Sequence, residues 1–132
     1  MRVLLDTHIL LWALAEPDRL PPSTRDVIED PGNDVLFSAA SIWEIAIKSG
    51  LGRTDFTVRP EQIAHDARQA GLTELPVHAH VAAQVATLPP HHRDPFDRLL
   101  VAQAIAIQAV LFTADVALRP YSDLVTLVSR TR

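Results

Sequence analysis

The sequence predicts a single α/β domain in which helices cover both faces of a parallel sheet. Short apolar runs alternate with longer segments of helical character along the chain, and this alternation is typical of parallel sheets. The chain has 132 residues, of which 48% are hydrophobic and 21% charged, and this composition suits one core. Because no internal repeat or linker is evident, we expect residues 1–132 to form one domain.

The predicted strands and helices follow one another with short connections. The predicted strands cover residues 3–5, 35–37, 73–75, 110–113 and 124–128. The predicted helices cover residues 7–15, 23–30, 60–70, 79–87 and 96–109, and a further helix, the third in chain order, runs through residues 42–48 and stops at Gly50. The strands are runs of apolar and β-branched residues, whereas the first helix is apolar all round, as a buried helix is.

Capping residues and helix breakers set the ends of the helices. Ser38 or Ser41 can cap the third helix, which ends at Gly50. Gly71 ends the fourth helix. The pair Asp94-Pro95 supplies an N-cap and a first-turn proline to the long sixth helix, which is the arrangement that helix starts favour.

Charge and cysteine content exclude several classes of protein. Sixteen acidic against twelve basic residues give a net charge of -4, which argues against nucleic-acid binding through a broad basic surface. The absence of cysteine excludes disulfides, thiolate zinc sites and cysteine nucleophiles. The apolar runs are too short or too interrupted to span a bilayer, and no signal-peptide pattern is present. We therefore expect a cytoplasmic protein without a membrane segment.

Four acidic residues occupy positions that favour a common site. Asp6 follows the first strand, Glu44 lies inside an apolar helix, Asp97 lies in the first turn of the longest helix, and Asp115 follows the fourth strand. In a doubly wound sheet, strand ends and helix N-termini meet along one edge. Clustered carboxylates there are suited to Mg²⁺ or Mn²⁺, which prefer oxygen ligands.

Each of these acids also has a structural explanation. Asp6 and Asp115 can cap the segments that follow them, and Asp94 can act as the N-cap next to Asp97. Glu44 can pair with Lys48 at the i,i+4 spacing. The sequence does not decide between these alternatives. The hypothesis of a metal site depends on all four acids occurring together.

Neither the histidines nor any nucleotide-binding motif supports a different kind of catalytic site. His91 and His92 are adjacent in a proline-rich segment and lack the helical spacing of a zinc protease site, so we expect a loop or surface role for them. The chain has no dinucleotide fingerprint, no phosphate-binding loop and no nucleophile elbow. Nucleotide-driven chemistry and serine hydrolysis therefore have no support in the sequence.

Three ordered motifs resemble those of the PIN-domain ribonucleases, and most closely the VapC-type toxins of bacterial type II toxin–antitoxin pairs. The motifs are Leu4-Leu5-Asp6-Thr7-His8, Ser41-Ile42-Trp43-Glu44-Ile45-Ala46-Ile47-Lys48 and His92-Arg93-Asp94-Pro95-Phe96-Asp97-Arg98-Leu99-Leu100-Val101-Ala102-Gln103-Ala104. The resemblance extends to the segment ending at Asp115 and so covers nearly the whole chain. It implies a three-layer α/β/α sandwich with a four- or five-stranded parallel sheet.

The resemblance also implies a site and a reaction. By motif position, the catalytic and metal-binding residues are Asp6, Glu44, Asp97 and Asp115, with Asp94 as the rival of Asp97 for the third acid. Residues in supporting or substrate-binding roles are Thr7, Asp94, Thr113, Arg93 and Arg98. The implied reaction is Mg²⁺- or Mn²⁺-dependent hydrolysis of RNA, leaving a 5′-phosphate and a 3′-hydroxyl. The resemblance further implies a homodimer and an antitoxin that blocks the acidic site with a helix.

Two alternative functions use the same residues. A Mg²⁺-dependent phosphohydrolase acting on small phosphate esters would need the same carboxylates. A non-catalytic α/β module that binds proteins would use the four acids only as helix caps. Assay of RNA against a small phosphomonoester, each with Mg²⁺ and with EDTA, separates the first alternative from a ribonuclease. Calorimetric titration with Mn²⁺ separates the second, because scattered caps should bind no metal at the site.

Overall fold

The fold alternates strands and helices, as the sequence predicts. The computed structural model describes residues 1–52 and 58–129. Within these ranges the strands are β1 (Arg2–Leu5), β2 (Asp34–Ser38), β3 (Thr73–Leu75), β4 (Val110–Thr113) and β5 (Val125–Leu127). The α-helices are α1 (Thr7–Ala15), α2 (Pro22–Glu29), α3 (Ala39–Gly50), α4 (Pro60–Gln69), α5 (Ala79–Gln84) and α6 (Pro95–Ile107). Short 3₁₀ helices lie at Pro17–Arg19, Val85–Thr87 and Val116–Tyr121.

The five strands form one parallel sheet with the order β3-β2-β1-β4-β5. The chain builds outward from β1 to β3 on one side and then returns to the other side of β1 with β4. The order therefore reverses between β1 and β4, and a crevice forms outside the carboxyl ends of strands at such a point. The predicted three-layer α/β/α sandwich with a parallel sheet is confirmed.

Alternate residues of the strands face two separate cores. On one face, Val3 and Leu5 of β1 pack in the core to which α1, α3 and α4 contribute. On the other face, Leu4 packs against α6, whose Leu100 and Val101 are completely or almost completely buried. Because both faces are covered, β1, β2 and β4 each contain a continuous apolar run.

Side-chain caps fix the starts of four helical segments close to strand ends. Asp6 accepts a hydrogen bond from the backbone of α1, and Ser38 accepts one at the start of α3. Asp94 caps α6, and Asp115 caps the 3₁₀ helix that follows β4. The predicted caps at Asp6, Ser38, Asp94 and Asp115 are therefore present, and Ser41 is not the cap of α3.

The C-terminal ends of two helices differ from the sequence prediction by two residues or more. The sixth helix ends at Ile107 rather than residue 109, because Gln108 adopts a left-handed conformation with φ of 54°. The backbone N–H of Ala109 then donates to Ala104 O at 2.9 Å and closes the helix. The fifth helix is α-helical only to Gln84, and its last turn tightens into the 3₁₀ helix Val85–Thr87. No described helix is long and apolar enough to cross a membrane.

Helix ends in the left-handed conformation give a first prediction. Gly71 has φ of 90° and is exposed, so Gly71→Ala places a Cβ in a strained conformation and should cost about 1 kcal/mol of stability. Gln108→Gly relieves the same strain, and the gain should be about 0.5 kcal/mol because glycine also adds entropy to the unfolded chain. Urea denaturation measures the free energy of unfolding, which should fall in Gly71→Ala and rise in Gln108→Gly. A loss of stability in Gln108→Gly would contradict the strain argument.

Candidate active site

Asp6 lies at the carboxyl end of β1, next to the point where the strand order reverses. Its side chain is 5% exposed and accepts hydrogen bonds from the Ile9 backbone N–H, at 2.9 Å, and from the Thr113 hydroxyl. Thr113 ends β4, so this contact joins the two central strands. Asp115 follows two residues later, and its side chain caps the next turn through Ala117 N at 3.0 Å. The topology thus brings Asp6 and Asp115 to one edge of the sheet.

Glu44 is almost completely buried in the middle of α3. One carboxylate oxygen lies 2.5 Å from Thr7 Oγ1, which is also 2.9 Å from Ser41 Oγ. The other lies 2.6 Å from Lys48 Nζ. The intrahelical pair with Lys48 that the sequence suggests is therefore present, together with a contact to the first residue of α1. These partners compensate the cost of burying the carboxylate.

Asp94 and Asp97 have different surroundings at the start of α6. Asp94 Oδ1 accepts hydrogen bonds from the backbone of Phe96 and Asp97, at 2.8 and 3.3 Å, and Asp94 Oδ2 lies 3.6 Å from Lys48 Nζ. Asp97 lies in the first turn of the helix, and its Oδ2 is 3.0 Å from His92 Nε2. The capping role is therefore filled by Asp94, which leaves the carboxylate of Asp97 available to the cleft.

These side chains surround one open cleft of about 390 Å³. It is lined by Asp6, His8, Trp12, Glu44, Lys48, His92, Asp94, Asp97, Ala114 and Asp115. We call Asp6, Glu44, Asp97 and Asp115 the acidic cluster. The structure brings together all four acids that the sequence analysis selected, although they come from four different segments of the chain.

The supporting residues named from sequence take different positions. Thr7 and Thr113 contact the carboxylates of Glu44 and Asp6. Arg93 is exposed, whereas Arg98 does not line the cleft. The Arg98 guanidinium donates to the carbonyls of Val85 and Pro89, each at 2.9 Å, among other acceptors. Arg98 thus holds the segment before α6 against the helix.

Burial and mutual repulsion shape the electrostatics of the site. Burial raises the pKa of Asp6 from 3.8 to about 6, and repulsion from Glu44 adds to it, although hydrogen bonds to the carboxylate act in the opposite direction. Burial raises the pKa of Asp97 from 3.8 to about 7, and repulsion from Asp94 adds to that rise. The hydrogen bond from His92 lowers the pKa of Asp97 but does not cancel these effects. Burial and neighbouring carboxylates therefore both disfavour the ionised forms of Asp6 and Asp97.

The donor set of the site fits a hard divalent cation. Carboxylate oxygens are the preferred ligands of Mg²⁺ and Mn²⁺. His92 Nε2 and carboxylate oxygens of Asp97 and Asp115 all lie within 4.8 Å of one another. A cation would favour the ionised forms of Asp6 and Asp97, whose pKa values are raised mainly by burial and further by neighbouring carboxylates.

Sequence reasoning missed two members of this site. The prediction of a loop for His91 and His92 is confirmed, and His91 is exposed with its ring against Tyr121. His92 lies in the same loop, but it is only partly exposed, and its ring nitrogen lies 3.0 Å from Asp97 Oδ2 and 3.1 Å from Asp115 Oδ2. Lys48 was considered only as a partner of Glu44, yet it also lines the cleft.

Comparison with known proteins assigns the chain to a family. Residues 3–123 match the PIN domain. The chain is 33% identical over 124 residues to Ribonuclease VapC22 of Mycobacterium tuberculosis, which covers 90% of this chain and 91% of the relative. Ribonuclease VapC16 of the same organism is 39% identical over 69 residues, which covers 51% of this chain and 49% of the relative.

Two solved structures share the fold at low sequence identity. The crystal structure of VapBC2 from Rickettsia felis, bound to a DNA fragment from their promoter, has a TM-score of 0.69 and 16% identity, covering 99% of this chain and 100% of that chain. The structure of FitAB bound to an IR36 DNA fragment has a TM-score of 0.54 and 23% identity, covering 86% and 85%. Family match, sequence identity and fold agree: the chain belongs to the PIN domain family, and within it resembles the VapC type.

Proposed function

We propose that the chain is a ribonuclease of the VapC type that hydrolyses RNA phosphodiester bonds with Mg²⁺ or Mn²⁺. The observation that carries the proposal is the convergence of the acidic cluster on one cleft, at the point where the strand order reverses. The match to the PIN domain and the relatives named as ribonucleases support the same activity.

The acidic cluster would hold the cation through Asp6 and Asp97, with Glu44 and Asp115 orienting water or a second ion. When bound, the cation lowers the pKa of water and offsets negative charge on the phosphoryl group. The side chains that support the cluster are already oriented, because Thr113 donates to Asp6 and Lys48 pairs with Glu44. A preorganised site of this kind avoids the cost of arranging its charges during the reaction.

The remaining residues divide between holding the site and holding RNA. Asp94 caps α6 and so places Asp97 at the cleft, a supporting role. Arg93 is exposed on the segment before α6 and would contact a phosphate of the substrate. Arg98 supports the same segment through backbone carbonyls. Attack of water in line with the leaving oxygen would leave a 5′-phosphate and a 3′-hydroxyl.

The proposal includes a protein partner. A VapC-type toxin is expected to be cytoplasmic, to form a homodimer and to be blocked by a cognate antitoxin. Exposed apolar side chains at i,i+4 spacing offer surface for such contacts. Trp43 and Ile47 lie on α3, and Leu51 directly follows it. A short antitoxin-like gene in the reading frame immediately upstream would support the pairing, and sedimentation equilibrium of the purified chain would test the dimer.

Removing either principal carboxylate should abolish cleavage. We expect Asp6→Asn and Asp97→Asn each to lower the rate of RNA cleavage in Mg²⁺ or Mn²⁺ by more than about 100-fold, because each removes a charged ligand. Asp34→Asn makes the same chemical change at the amino end of β2, on the opposite edge of the sheet, and should leave the rate unchanged. Circular dichroism checks that the variants are folded. Activity that survives in both variants, or in EDTA, would contradict the proposal.

The same assays separate the alternative functions. A small phosphomonoester, tested beside RNA with Mg²⁺ and with EDTA, reports a general phosphohydrolase, and cleavage of the ester alone would favour that alternative. Calorimetric titration with Mn²⁺ tests the non-catalytic binding module. Absence of Mn²⁺ binding would favour that alternative, because carboxylates that act only as caps should bind no cation at the site. We expect RNA cleavage and Mn²⁺ binding, both lost in Asp97→Asn.

The raised pKa values predict how stability depends on pH without metal. Between pH 3.8 and about 7 the folded protein binds more protons at Asp6 and Asp97 than the unfolded chain, so the free energy of unfolding falls as pH rises. Each carboxylate contributes up to about -1.4 kcal/mol per pH unit within its own range. Urea denaturation in EDTA at pH 5 and pH 7 should therefore show a smaller loss for Asp97→Asn than for the wild type.

Two controls make this pH measurement specific. Asp34→Asn should keep the wild-type dependence, because Asp34 is exposed at the other edge of the sheet. Adding Mg²⁺ or Mn²⁺ at pH 7 should restore stability to the wild type but much less to Asp97→Asn, since a ligand that binds only the folded state stabilises it. An equal pH dependence in wild type and Asp97→Asn would show that the carboxylate is not perturbed.

A further inference from the structure

The ring of His92 occupies a position between two carboxylates of the acidic cluster. Its Nε2 lies 3.0 Å from Asp97 Oδ2 and 3.1 Å from Asp115 Oδ2. A single N–H shared between the two carboxylates would form a three-centre hydrogen bond, whose geometry is poorer than that of one linear bond. Adjacent ligands in an octahedral site with metal–oxygen distances of about 2.1 Å are themselves about 3.0 Å apart. The distances from Nε2 to the two carboxylate oxygens are therefore those of adjacent ligands, and all three atoms lie within 4.8 Å of one another.

Hydrogen bonds involving Tyr121 and Arg98 hold the segment that carries His92 in place. The backbone N–H of His92 donates to Tyr121 Oη at 2.9 Å, and Arg98 donates to the same oxygen at 3.0 Å. Arg98 also donates to the carbonyls of Val85 and Pro89, which precede His92. Tyr121 ends the 3₁₀ helix that Asp115 caps, so one hydroxyl links the two segments. These contacts place the imidazole at the cluster before any ligand binds.

We propose that His92 contributes its Nε2 as a metal ligand, which makes the site a mixed nitrogen–oxygen site and favours Mn²⁺ over Mg²⁺. The proposal rests on the metal-dependent function proposed above and names a ligand outside the four acids. Mg²⁺ binds oxygen ligands almost exclusively, whereas first-row transition ions accept imidazole readily. A nitrogen ligand therefore raises the affinity for Mn²⁺ more than that for Mg²⁺.

A second explanation of the geometry predicts a different result. His92 acting only as a hydrogen-bond partner of Asp97 and Asp115 would turn away, or stay outside the coordination sphere, when a cation binds. In that case Mn²⁺ would bind with oxygen ligands alone. The two explanations differ in whether a histidine nitrogen is bonded to the ion, which electron spin echo spectroscopy of Mn²⁺ detects directly.

The experiment adds Mn²⁺ to the metal-free full-length chain and records spin echo modulation. We expect modulation from a histidine ¹⁴N in the wild type, which changes to that of ¹⁵N when the protein is made with ¹⁵N-labelled histidine. His92→Gln should lose the modulation and weaken Mn²⁺ binding by about 10-fold or more, with a smaller effect on Mg²⁺. His65→Gln removes an exposed imidazole on α4, away from the cleft, and should keep the modulation. The isotope experiment needs no variant and so does not depend on how His92→Gln folds.

The outcomes distinguish this inference from the proposed function. Mn²⁺ that binds at the site and supports RNA cleavage, but shows no nitrogen modulation, would overturn the role of His92 alone. Modulation that disappears in His8→Gln and persists in His92→Gln would assign the nitrogen to His8, which lines the same cleft, and would also overturn it. A wild-type chain that binds no Mn²⁺ and cleaves no RNA would contradict the metal-dependent function itself.

Discussion

The contacts of Asp6 join the elements from which the site is built. Its backbone N–H donates to Phe112 O in β4, one carboxylate oxygen caps α1 at Ile9, and the other accepts from Thr113. A single buried residue therefore connects β1, β4 and α1 at the point where the strand order reverses. Asp6 both caps α1 and lines the cleft. The cap uses one carboxylate oxygen and thereby orients the other. The same holds for Asp115, whose Oδ1 caps a turn while its Oδ2 faces His92.

Most of the fold follows from local signals. The strands other than β3 were predictable because each contains a short run of apolar or β-branched residues, whereas β3 is Thr-Glu-Leu. The starts of α1, α3 and α6 were predictable because the side chains at Asp6, Ser38 and Asp94 make local hydrogen bonds to the next turn. The end of α6 was not, because a left-handed Gln108 in place of glycine gives no compositional signal. The order of the strands depends on contacts between residues far apart in the sequence. The sequence therefore predicted only a doubly wound parallel sheet and not the order of its strands.

The candidate site was predictable to a different degree. The four acids were found because each follows a strand, begins a helix or interrupts an apolar helix, and these positions are visible in the sequence. His92 was missed because its position depends on Tyr121, which lies 29 residues further along the chain and fixes the backbone of His92. Local sequence gives no sign of that contact. The Lys48–Glu44 pair was visible, but its second contact, with Asp94, requires α3 and α6 to pack side by side.

The distribution of positive charge divides the site into two parts. Lys48, which is the one lysine in the sequence, lies between Glu44 and Asp94 and compensates these two acids within the protein. Among the described residues Asp6 has hydrogen bonds but no ion pair, and Asp97 faces only an imidazole. Burial is the main cause of the raised pKa values of Asp6 and Asp97, and neither carboxylate has a fixed cation beside it among the described residues. The net charge of -4 argues against a broad basic surface, and this division explains how an acidic chain could still act on RNA: a cation at Asp6 and Asp97 would supply the positive charge where a phosphate must approach.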